Sequence, residues 1–170
     1  MGAEERDALL SGAVALREAG RRDEARDRLV ALAARLPDDA EVAYQTAWAH
    51  DVLGLEAEAV PYYERALAAG PVPGGLSAED RRGALLGLGS TYRTLGRYAE
   101  AVTTLSRGTE EFPEDGALRA FLAMALYNTG EHHDAVRLLI RLLVETSDDR
   151  YVRQYREALS FYAEDLNRLG

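Results

Sequence analysis

The sequence contains no cysteine, which excludes disulfides, thiolate zinc sites and cysteine nucleophiles and leaves the redox compartment open. Lysine is absent as well, so all 20 basic residues are arginine. Nothing in helix physics bars lysine from so many solvated positions. Together with the heavy use of alanine, its absence reads as the codon bias of a GC-rich, bacterial genome. Histidine, the commonest side chain for acid–base work near neutrality, occurs only three times. No apolar run approaches the roughly 20 residues needed to span a bilayer. The first residues, MGAEERD, place acids ahead of a short apolar stretch where a secretory leader would carry positive charge. A cytoplasmic location is expected by elimination.

Positive charge is also in deficit. With 29 acidic residues against 20 basic ones the net charge is -9, which disfavours attraction to nucleic acid or to an anionic membrane. Neither is expected as a partner. A chain of 170 residues, 47% hydrophobic and with only five prolines, suits one compact helical domain.

What is present is a period. Gly20, Gly54, Gly96 and Gly130 stand 34, 42 and 34 residues apart, and Ala25, Ala59, Ala101 and Ala135 repeat those three intervals. Pro37, Pro71 and Pro113 give 34 and 42, with Ser147 at the fourth place. Agreement between independent markers divides the chain into units at 6–39, 40–73, 82–115 and 116–149. In each unit an apolar stripe at helical spacing runs up to the glycine and a second follows it, as Leu9 and Leu16 and then Leu29, Leu32 and Leu36 show in the first. Glycine ends the first helix by taking the left-handed conformation cheaply. The alanine lets the second helix approach the first, and the proline stops it. Four antiparallel helix pairs are predicted.

The stretch from Arg82 to Asp115, RGALLGLGSTYRTLGRYAEAVTTLSRGTEEFPED, resembles one tetratricopeptide repeat. Leu88-Gly89, Tyr92, Gly96, Tyr98, Ala101, Leu105 and Pro113 take the family's signature places, while Leu85 replaces the usual tryptophan and Gly108 the usual alanine. The resemblance implies an all-α fold, a right-handed superhelical solenoid of four helix pairs with a C-terminal capping helix. It also implies a scaffold that binds proteins, with no cofactor.

Eight residues, 74–81, are inserted before the third unit. Ser77 followed by Asp80 is a variant capping box, so the fifth helix is predicted to begin near Ala78, about one turn early. The insertion reads as a tolerated surface loop or as a lip beside the binding surface. The last segment, 150–169, is too short for another pair. Its stripe of Tyr151, Tyr155, Leu159, Tyr162 and Leu166 predicts one helix that closes the end of the stack, with Val152 and Phe161 off the stripe. The surplus of aromatics makes Tyr151, Tyr155, Phe161 and Tyr162 candidates for a homodimer contact.

Candidate chemistry is sparse. His132 and His133 with Asp134 suggest a metal site, but adjacent helical residues diverge by about 100 degrees and no third ligand follows on the same face. A packing role is expected for both. His50, at the place of Tyr92 in the third unit, reads as a satisfied, partly buried histidine. Glu110, Glu111, Glu114 and Asp115 surround Pro113 at a helix junction, where Asp115 is a plausible cap and the others are solvated. Gly87 and Gly89 lie in a helical pattern with no preceding strand, so they form no phosphate loop. No nucleophile elbow is set on a strand-turn-helix framework either. The chain is read as non-enzymatic.

In the resembled family the first helices of successive units line a concave channel for peptides. The resemblance places Tyr44, Gln45, Trp48, Asp51, Leu86, Ser90, Arg93, Phe121, Met124 and Tyr127 there, with Leu10, Val14 and Arg17 from the first unit. The family's carboxylate clamp needs polar groups where Leu10, Val14, Gly83 and Gly87 stand, and a frame one unit later offers Tyr44, Trp48, Ala117 and Phe121. Neither frame supplies it. The expected partner is a protein or peptide with apolar anchors against Trp48, Tyr44, Met124 and Phe121, oriented by Arg17 or Arg93. The competing reading is that Trp48 and its neighbours fill the channel themselves. The small residues Gly83, Leu86, Gly87 and Ser90 suggest a gap between Trp48 and Phe121. A self-associating homodimer and a sensor or adaptor subunit of a larger regulatory complex are the alternative functions.

Overall fold

The polar groups of a helix are satisfied within it, so a chain with a helical period and few prolines can spend its apolar surface on packing helix against helix. The computed structural model describes residues 1–70 and 75–167, and among these it contains ten α-helices and no strand. They are α1 (Ala3–Glu18), α2 (Arg22–Arg35), α3 (Ala40–Asp51), α4 (Glu56–Leu67), α5 (Ala78–Thr94), α6 (Tyr98–Glu111), α7 (Gly116–Asn128), α8 (His132–Thr146), α9 (Arg150–Gln154) and α10 (Arg156–Glu164). The stop expected at Pro71, the repeat end at Pro73 and the start of the insertion at Gly74 lie outside the described residues. The chain forms two compact units, Met1–Gly96 and Arg97–Gly170.

The turns within the four pairs and the starts of α3, α5 and α7 fall at residues that the sequence singles out. Gly20, Gly54, Gly96 and Gly130 carry φ of 81°, 71°, 74° and 89°, the left-handed turn that separates the helices of a pair. Ser77 Oγ accepts from the Asp80 N–H at 3.0 Å, which starts α5 at Ala78. Asp39 caps α3 by accepting from Val42 N, and Asp115 caps α7 by accepting from Ala117 N and Leu118 N.

In the first unit the core gathers Leu10, Ala13, Leu29, Leu32, Ala33, Val42 and Ala49, with Val14, Leu36 and Tyr62 packed against them. Fully burying a leucine such as Leu29 is worth roughly 1.5–3 kcal/mol. Two polar ties span the unit. Arg6 on α1 donates Nε and Nη2 to Asp39 at 2.9 Å each, and Nη2 to Glu41 at 2.7 Å. Tyr63 on α4 and Thr91 on α5 both donate to the carboxylate of Asp51 on α3, at 2.6 and 2.9 Å. His50 is buried, its Nδ1 2.8 Å from the Thr46 carbonyl oxygen and its ring stacked on Tyr62 at 5.2 Å.

In the second unit Gly108 lets α6 meet α7, since a Cβ there would lie 2.7 Å from Leu118 Cδ2. The C-terminal segment departs from the single helix expected over 150–169. It forms α9 and α10 with Tyr155 between them, and residues 168 and 169 lie outside the described chain. Its aromatic stripe also faces outward: Tyr151, Tyr155 and Tyr162 are exposed, whereas Val152 and Leu159 are half-buried and Ala163 is buried. The reason is steric. Helix α10 lies against α8 through the small Ala163, held by the Arg141–Glu164 ion pair at 2.5 Å and by Arg156 donating to the Val144 carbonyl at 3.2 Å. A tyrosine would hold the two helices apart.

Candidate functional site

One face of α1 in the first unit carries Asp7, Leu10, Ser11, Val14 and Glu18 at helical spacing, and α3 beside it presents Glu41 and Gln45. Between them is an open cleft of about 730 Å³, lined also by Arg6 and Ala15. The apolar part is Leu10 and Val14, and the polar part is mainly carboxylate. Arg6 is the basic residue lining the cleft, and it is already engaged by Asp7, Asp39 and Glu41. Leu10 and Val14, which the resemblance assigns to the channel, line this cleft. The acidic lining was not anticipated, although Asp7 and Glu18 share one face of α1 at helical spacing.

Gln45 links this cleft to an aromatic cluster. Arg17 is 8% exposed, donates Nη1 to Gln45 Oε1 at 2.8 Å and lies 3.8 Å from the centroid of the Trp48 ring. That contact is a cation–π stack. Burial lowers the pKa of Arg17 from its ordinary value, and neighbouring Tyr44 and Glu18 oppose the shift. Tyr44 lies 5.9 Å from Trp48 and 6.3 Å from Tyr63, centroid to centroid. Burial pushes the Tyr44 hydroxyl up to about 12 and the Tyr63 hydroxyl higher still, and raises the Asp51 carboxyl above the ordinary range.

The expected groove residues therefore divide. Tyr44 and Gln45 are buried, Trp48 is 41% exposed, and Leu86, Ser90 and Arg93 are half-buried. The room inferred from Gly83 and Gly87 is taken: a Cβ at Gly83 would collide with the Tyr44 hydroxyl, and one at Gly87 would collide with Tyr63. The glycines of α5 thus accommodate two tyrosines of the preceding helix pair and leave no vacancy at those positions. Sequence reasoning missed Tyr63, because it belongs to the second helix of its pair. In the second unit Phe121 is half-buried, while Met124 and Tyr127 are exposed on α7, with Tyr127 4.7 Å from the ring of His132. Tyr151, Tyr155, Phe161 and Tyr162 are exposed, and Phe161 meets Tyr162 edge-on at 5.4 Å.

Among the described residues no group of three or more histidines and carboxylates is arranged to hold a metal ion. His133 Nε2 instead accepts from the Leu166 N–H at 3.4 Å. No helix among the described residues is long and apolar enough to cross a membrane.

A family model described as Tetratrico peptide repeat matches residues 40–166. No curated protein matches the sequence. Several solved structures share the fold. A MamA variant superposes with a TM-score of 0.70 at 21% identity, over 84% of this chain and 79% of its own. YrrB, described as a TPR protein with an unusual peptide-binding site, gives 0.70 at 21% identity over 94% of this chain and 77% of its own. A tetratricopeptide repeat protein from Parabacteroides merdae gives 0.73 at 19% identity over 94% of this chain and 59% of its own.

Proposed function

Because this chain belongs to the tetratricopeptide repeat family, we propose that it is a non-catalytic scaffold that captures a peptide or protein segment on the first helices of its pairs. In the first unit the segment runs along the cleft between α1 and α3 and sets an apolar anchor against Trp48. Arg17 holds the indole in place and presents positive charge beside it. In the second unit Phe121, Met124 and Tyr127 are apolar residues of that unit's own first helix, α7. The observation that carries this reading is the exposure of Trp48: within α3 its neighbours Tyr44, Gln45 and Ala47 are buried, yet the largest side chain is 41% exposed. A large exposed aromatic, backed by a buried cation and adjoining a cleft, has the character of a binding hot spot. The peptide-binding site ascribed to YrrB supports the same use of this fold.

The test uses the fact that Trp48 is the sole tryptophan. Partners captured from the source cell by the wild type are compared with those captured by Trp48→Ala, and a captured segment is then titrated as a synthetic peptide against Trp48 fluorescence. Loss of capture with unchanged helicity, together with a saturable change in emission, supports the proposal. Equal capture by Trp48→Ala, or a collapse of its helicity, removes it.

A further inference from the structure

The charges along the cleft between α1 and α3 do not cancel. At one end three carboxylates close on the single guanidinium of Arg6, Asp7 and Asp39 at 2.9 Å and Glu41 at 2.7 Å. One positive charge among three negative ones leaves two in excess.

At the other end stands Glu18, which is exposed and, among the described residues, forms no hydrogen bond or ion pair. It is the last residue of α1. The C-terminal end of a helix carries partial negative charge and favours a cation, so α1 itself gains nothing from an acid there. Arg17 precedes Glu18 and feels its field, but the Arg17 guanidinium is buried, stacked on Trp48 and bonded to Gln45.

Between the two acidic ends lie Leu10 and Val14, one helical turn apart. The distance along α1 from Asp7 to Glu18 is roughly 16 Å. An extended chain covers that distance in about five residues and turns alternate side chains to one side. An acidic segment would meet like charge at both ends, and such juxtaposition is costly. A bare metal ion is also a poor complement, because among the described residues no histidines and carboxylates are grouped to hold one.

We propose that the segment bound in this cleft is basic, with an arginine or lysine on either side of an apolar residue and the two cations about five positions apart. The apolar side chain rests on Leu10 and Val14, one cation meets Asp7 and Glu41, and the other meets Glu18. This inference rests on the proposed use of the cleft for capture and names the chemistry of what is captured. Gln45 lines the cleft and also holds Arg17 against the indole, so the same segment continues from the cleft to Trp48.

Random dodecapeptides displayed on phage and selected on the full chain test this, and the selected peptides are then synthesised and titrated by fluorescence anisotropy. Arginine and lysine should be enriched on both sides of an apolar position. A selected peptide should bind the variant Asp7→Asn with Glu18→Gln about tenfold more weakly than the wild type, with unchanged circular dichroism. Its affinity for the wild type should also fall as salt rises. Should the double variant lose helicity, Glu18→Arg probes the second contact alone and should weaken the basic peptide while strengthening its glutamate-substituted counterpart.

Selected peptides that lack the basic enrichment but lose binding to Trp48→Ala overturn the basic segment and leave capture at Trp48 standing. Basic peptides that bind the double variant as tightly as the wild type overturn it too. Basic peptides that need Asp7 and Glu18 but bind Trp48→Ala unchanged support it and remove only the anchor at Trp48. A selection that yields no binding peptide removes both readings.

Discussion

The guanidinium of Arg17 lies 3.8 Å from the centroid of the Trp48 ring while its Nη1 donates to Gln45 Oε1 at 2.8 Å, so three residues from two helices are locked in one orientation. Lysine has neither the planar face nor the fork that this geometry uses. Arg17→Lys is expected to lower stability by about 1 kcal/mol and to move Trp48 emission to the red. Urea unfolding followed by fluorescence measures both.

Gly87 faces Tyr63 so closely that a Cβ would lie 2.6 Å from its Cζ. Alanine in a helix interior ordinarily gains up to about 1 kcal/mol over glycine, but here overpacking should reverse the sign and destabilise by about 1–3 kcal/mol. Thermal unfolding of Gly87→Ala tests this. In a double-mutant cycle, Tyr63→Leu should absorb most of the loss.

Asp115 Oδ1 accepts from the N–H groups of Ala117 and Leu118 at 2.7 and 3.0 Å. Asp115→Ala leaves two helix-end donors to solvent and should cost about 1 kcal/mol, while Asp115→Asn should retain most of the cap. Chemical denaturation of the two variants side by side reads the difference.

Acid should reveal two carboxylates of opposite sign. Burial raises the Asp39 pKa, but the hydrogen bonds from Arg6 and from the Val42 and Glu41 backbone outweigh it and hold it below the ordinary value. Its stabilising contribution is present above the unfolded-state pKa, near 4, and is lost as pH falls through the lower folded value. Burial raises Asp51 despite the hydroxyls of Tyr63 and Thr91. Its contribution is greatest below the unfolded pKa and is lost as pH rises through the folded one. Stability measured from pH 2 to 6 should therefore rise less steeply with pH in Asp39→Asn than in the wild type, and more steeply in Asp51→Asn.

Outside the C-terminal segment, the sequence by itself determined where the helix pairs turn and where α3, α5 and α7 start, because those signals are local. A left-handed glycine, a capping Ser77 or Asp115 and a 34-residue return of alanine each act within a few residues of themselves. Leu10, Val14 and Trp48 were singled out by the resemblance to the tetratricopeptide repeat and not by the helical period alone. What only the tertiary structure decided depends on distant partners. It showed that the space beside Gly83 and Gly87 belongs to Tyr44 and Tyr63, and that Arg17 stacks on Trp48. It also showed that the small Ala163, and not the tyrosine stripe, turns toward α8. A period tells which positions are equivalent, but the filling of each position is set by side-chain volumes that meet across helices.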